Sequence, residues 1–142
     1  MSSLLGVCLV LAASVQADPA TVPVFVPGHH LTLAWTHSIE KVRWEEDYEV
    51  SVNPSAASTL VLNAVQARVQ GSAAGMEPPD DAVLSNGWYV YTPQITQTRE
   101  LRLTRSEFTA DYALCHASIC LPLSHWLASD QGITLMTPCT AP

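Results

Sequence analysis

The chain has 142 residues, enough for a single domain with a real hydrophobic core. Six Lys and Arg against thirteen Asp and Glu leave a net charge of −7, which excludes a nucleic-acid backbone as the main partner and offers no polybasic segment to anionic lipid. With 48% hydrophobic and only 13% charged residues, charge-driven disorder is excluded over most of the chain, and no apolar run reaches the length of a membrane span.

The first predicted element is a targeting segment. Leu4 to Ala13 has the length and composition of a signal-peptide h-region, and Val15-Gln16-Ala17 offers a cleavage site before Asp18-Pro19. The expectation is therefore a signal peptide over 1–17 and one β-rich domain over 18–142. The competing reading of the same residues is a buried strand or short helix. Met1-Ser2-Ser3 carries no Lys or Arg, so either the true start lies upstream or the n-region is weak. A lipoprotein site at Cys8 is rejected, because Val7 precedes it where a small residue is needed.

Residues 18–30 are a lead-in punctuated by Pro19, Pro23 and Pro27, which permits an extended edge segment but no helix. Leu31 to His37 then alternates, with Leu31, Leu33, Trp35 and His37 on one face. Residues 42–52 alternate again. Val42, Trp44, Glu46, Tyr48, Val50 and Val52 share a face, and Arg43, Glu45, Asp47 and Glu49 the other. The two runs read as a hairpin around 38–41. Thr59 to Gln70 reads as a strand, its Val content weighing against a helix. A long loop covers Gly71 to Asp81. Asn86-Gly87 signals a tight turn before Trp88 to Tyr91. Strands follow near 100–105, 112–114 and 133–136, with one or two helical turns near 122–128. About seven short strands with little helix predict an all-β domain, a β-sandwich or partly open barrel.

Export makes the cysteines informative. Cys115 and Cys120 close a loop of six residues and are expected to pair, for about 2 kcal/mol in the chain-entropy view. Cys139 is left over and can pair with either. A zinc site built from three Cys and His116 is the weaker alternative, since no matching second pair exists.

No Gly-x-Ser-x-Gly elbow, phosphate-binding loop, Gly-x-Gly-x-x-Gly or His-Glu-x-x-His occurs. Two polar segments stand out instead. In the first, His37 continues an apolar face, with Ser38 and Glu40 beside it. A His there is either a hydrogen-bonded core residue or a ligand contact. Glu46 is the odder residue, a carboxylate on the apolar face of its strand that needs a cation or several donors; His37 and Arg68 are the candidates. In the second segment, Gly71 to Glu77, small residues around Gly75 and Met76 let the backbone turn sharply and present N–H groups. The alternative is a plain connection. The expectation is a shared pocket in which His37 meets Glu40 or Glu46 under Met76. No cofactor or metal is expected.

These segments carry a resemblance. Trp35 to Lys41, Trp44 to Tyr48 and Gly71 to Pro79 resemble the bacterial family called domain of unknown function 1850. Trp88-Tyr89 before Thr92-Pro93, and Phe108 to Cys115, extend the likeness across residues 31–123. Ala74 departs from it, standing where Gly is expected. The resemblance places His37, Ser38, Glu40, Gly75 and Met76 at motif positions and assigns none of them a role. It implies a small exported protein encoded beside TAXI-type TRAP transporters, which import small organic anions. The expected function is a non-enzymatic periplasmic or secreted accessory protein. Its partners would be the TRAP membrane subunit, the solute-binding protein or the anion itself. The alternative is a stand-alone small-ligand or metal-binding domain. A hydrolase with a fold-assembled site ranks third.

Overall fold

The structure, a computed structural model, describes residues 4–37, 41–53, 59–71 and 81–142. It is an all-β sandwich of two antiparallel sheets, as the alternation predicts. The small sheet contains β1 (Leu5–Leu11), β2 (Val24–Pro27), β9 (Leu101–Thr104) and β12 (Ile133–Thr140), in the order β2-β1-β12-β9. The large sheet contains β3 (His30–Thr36), β4 (Arg43–Val52), β5 (Leu60–Gln70), β6 (Val83–Ser85) and β7 (Trp88–Tyr91). It also holds β10 (Ala113–His116) and β11 (Ile119–Pro122). Its order is β11-β10-β3-β4-β5-β7-β6, and the short β8 (Gln97–Thr98) pairs with β5 beside this path. A short α-helix, α1 (Ala12–Ala17), follows β1, and a 3-10 turn spans Leu123–His125.

The core lies between the sheets. Val7, Leu9, Leu103 and Met136 of the small sheet pack with Leu31, Leu33, Tyr48, Val50, Leu62 and Leu114 of the large one. Period-two alternation makes this possible, because each strand turns one apolar row inward.

The N-terminal segment takes the form of the competing reading, a buried strand. The residues assigned to an h-region form β1, an inner strand paired with β12 from Leu5↔Thr140 to Leu11↔Thr134 and with β2 on its other side. Val7 and Leu9 are 0% exposed. Gly6 fits this place: a Cβ there would lie 2.1 Å from the Val26 carbonyl oxygen, so the close approach of β2 requires glycine. An apolar run of this length satisfies a signal h-region and a doubly paired core strand equally well, and the fold uses it as the latter. Cys8 bonds Cys139, which gives the leftover cysteine its partner.

β5 also departs from simple alternation. Asp47 pairs with Gln66 but Tyr48 pairs with Ala64, so Val65 is an extra residue, a β-bulge. Leu62 and Ala64 face inward before the bulge and Ala67 and Val69 share their face after it. Val65, the extra residue, is 50% exposed.

Asn86 and Gly87 both take positive φ, forming the tight turn their dipeptide signals between β6 and β7. The hairpin of β10 and β11 turns through Ala117 and Ser118, also at positive φ (52° and 69°), without the usual Asn or Gly. Cys115 and Cys120 face each other across that hairpin and are bonded, which holds the turn closed.

Candidate functional site

The register places one row of side chains across five strands: Leu114, Leu33, Glu46, Ala67 and Tyr91 stand opposite one another on β10, β3, β4, β5 and β7. Opposite residues share a face. Leu114, Leu33 and Ala67 are buried, so this is the inner face of the large sheet. Glu46 is the one carboxylate in the row.

It faces a cleft of about 920 Å³ between the inner face of β4, β5 and β7 and the 92–98 segment. Tyr48, Leu62, Ala64 and Tyr91 line it from the large sheet, and Leu101 joins them from the small one. Asp81 brings a second carboxylate; it also accepts a hydrogen bond from the Thr92 N–H at 3.3 Å. The Tyr48 hydroxyl donates to Glu46. Burial, followed by this bond and the Glu46 charge, pushes the Tyr48 phenol far above its ordinary value. Burial and the charges of Glu46 and Asp81 push the Tyr91 phenol up as well. Both tyrosines therefore stay neutral donors at physiological pH.

Arg68 is not the partner of Glu46. It stands opposite Glu45, one residue along β4, and a one-residue offset on a strand is a change of face. On the outer face its Nε donates to Glu45 at 2.7 Å, and its Nη1 and Nη2 donate to Asp47 at 2.8 and 3.1 Å. Asp47 also accepts from the Thr32 hydroxyl at 2.6 Å, and Arg43 holds the other Glu45 oxygen at 2.7 Å. The hydrogen bond to Asp47 leads the causes that raise the Arg68 pKa. Two cations and two carboxylates thus balance locally. Beside them a pocket of about 500 Å³ runs to His30, His116 and the Cys115–Cys120 bridge.

His37 sits elsewhere. Its backbone closes the connection from β3 to β4: its N–H donates to Val42 O and its carbonyl accepts from Lys41 N, each at 2.9 Å. It lines a small hollow with Trp35, Ser106, Thr109 and Tyr112, apart from the Glu46 cleft. His37 lies four residues beyond Leu33, the residue opposite Glu46, or roughly 13 Å along the strand. Ser38, Glu40, Gly75 and Met76 lie outside the described residues, and so does the expected meeting of His37 with Met76. Among the described residues no group of three or more His, Cys, Asp or Glu could hold a metal ion.

Sequence reading missed the most buried ion pair among the described residues. Arg105, 2% exposed, donates through Nε and Nη2 to both oxygens of Asp111 at 3.0 and 2.9 Å, and through Nη1 to Thr134 at 3.2 Å. Asp111 also accepts from the N–H groups of Tyr112 and Ser124. The sequence signal was an Arg at the end of an alternating strand, which looks the same whether the side chain is solvated or buried.

Fold and site together define a disulfide-linked two-sheet β-sandwich with a carboxylate-bearing cleft on the inner face of its larger sheet. Residues 31–123, well over half of the chain, match the family described as Domain of unknown function (DUF1850), and the chain belongs to that family. The chain matches no curated protein and no solved structure.

Proposed function

We propose that this protein is a non-enzymatic accessory module of a TAXI-type TRAP uptake system, working in the periplasm with residues 5–11 retained as part of its fold, where it holds another protein component of that system. The uptake system is what the resemblance implies, and family membership supports the resemblance. Two disulfides suit an oxidising compartment, and no helix among the described residues is long and apolar enough to cross a membrane.

The observation that carries a holding role is the cleft of about 920 Å³, in which Glu46, Tyr48 and Tyr91 stand on strands of the large sheet and Asp81 adds a second carboxylate from the turn before β6. Direct capture of the transported anion is the less favoured version. Glu46 and Asp81 would repel it in the cleft, and on the outer face Arg68 is already held by two carboxylates. A stand-alone small-ligand domain is the second reading, favoured by a cleft volume within the range of small-molecule sites.

Cross-linking the tagged full-length protein in its native cells, followed by purification and probing for the TRAP membrane subunit and the solute-binding protein, tests the proposal. Retention of either component, beyond what an unrelated exported β-sandwich retains, is expected. Retention of neither overturns it.

A further inference from the structure

We propose that the Glu46 cleft receives a basic side chain, lysine or arginine, from the protein partner, with Glu46 as its counter-charge. This rests on the accessory reading above and names the chemistry of the partner.

Four observations converge. First, Glu46 is a half-buried carboxylate in the middle of an inward-facing row, and it accepts a hydrogen bond from the neutral Tyr48 hydroxyl. A carboxylate so placed is best stabilised by a cation. Second, the chain supplies none there. All six Lys and Arg lie among the described residues. Arg43 and Arg68 serve Glu45 and Asp47 on the outer face, Arg102 serves Glu100, and Arg105 serves Asp111. Lys41 and Arg99 do not line the cleft. Third, Tyr48 and Tyr91 line the cleft together with the carboxylate, and tyrosine side chains favour cations and the alkyl stems that carry them. Fourth, the 92–98 side of the lining sets two apolar residues among Thr and Gln side chains. Pro93 and Ile95 belong to it, and Ile95 is 79% exposed. An exposed isoleucine beside a half-buried charge matches a protein interface, where apolar contact excludes water around a central polar anchor. A small free amine would use the charge and leave Ile95 bare.

The test is an NMR titration of the full-length protein with two blocked tripeptides, Ala-Lys-Ala and its uncharged counterpart with norleucine in place of lysine. The lysine peptide is expected to shift the amides of Ala67, Tyr91 and Thr96 and to bind at least tenfold more tightly than the norleucine peptide. Glu46→Gln is expected to remove that preference while keeping the fold, because the amide oxygen still accepts from Tyr48. Asp81→Asn, at a more exposed carboxylate, is expected to reduce it less. Equal binding of the two peptides overturns the proposal, and so does an unchanged preference in Glu46→Gln. If n-butylammonium binds as tightly as the lysine peptide, the cleft is a small-cation site and the proposal also fails. Failure here leaves the accessory reading intact if cross-linking still captures a TRAP component. Capture of neither component with intact lysine selectivity would instead sink the accessory reading and keep the cleft.

Discussion

Cys8 and Cys139 are bonded across β1 and β12, joining residues 131 positions apart in the chain. The bond sits inside a seven-pair antiparallel ladder, so the N-terminal strand is tied to the C-terminal one by both backbone and sulfur. Everything between them is enclosed in one covalent loop. The segment with the most signal-like composition is therefore the one that closes the sandwich.

The functional protein is expected to retain residues 5–11. A chain beginning at Asp18 lacks the inner strand of the small sheet and leaves Cys139 without its partner. It should show no cooperative thermal transition. Intact mass of the native protein decides the matter directly: a mature chain starting at Asp18 that still melts cooperatively would overturn the placement of β1. Replacing both Cys8 and Cys139 with Ser should cost about 3–5 kcal/mol, as expected for so long a loop.

Asp111→Asn is expected to destabilise the fold by about 3 kcal/mol. It leaves the guanidinium of Arg105 buried with no compensating charge. Denaturant unfolding measures the loss. Arg68→Ala, on the outer face where the Arg68 side chain is 23% exposed, should cost about 1 kcal/mol, and less in high salt.

Alkaline pH should weaken the fold through its tyrosines. The Tyr48, Tyr91 and Tyr112 phenols are all raised above their ordinary value of 10.0, chiefly by burial. Above about pH 10 the unfolded chain releases these protons and the folded one keeps them. The unfolded state is then favoured, so their stabilising contribution is full below pH 10 and is lost as pH climbs past it. Tyr48→Phe should flatten the fall in melting temperature between pH 9 and 11. An unchanged slope would show that Tyr48 does not carry it.

The turn at Ala117 and Ser118 is expected to accept Asn-Gly with a gain. Both positions hold positive φ, which costs residues with a Cβ and suits Asn and Gly. The double change Ala117→Asn and Ser118→Gly should stabilise the protein by about 1 kcal/mol in thermal or denaturant unfolding. A loss of stability would mean that the two side chains make contacts worth more than the backbone strain.

Alternation alone determined the strands from Leu31 to Val52, the inward face of Leu31, Leu33 and Tyr48, and the anomaly of Glu46 on that face. Asn86-Gly87 announced its own turn. These are local properties, since a pleat repeats every two residues and a tight turn is specified by the residues inside it. What the tertiary structure decided is non-local. It made Leu5–Leu11 a doubly paired strand, because only the presence of β2 and β12 distinguishes a core strand from a hydrophobic leader. It placed Arg68 against Glu45 and Asp47 and left Glu46 to the cleft, because a one-residue shift in register moves a side chain to the opposite face. It buried Arg105 on Asp111 and joined Cys8 to Cys139, since chain closure over more than a hundred residues leaves no periodic trace in the sequence.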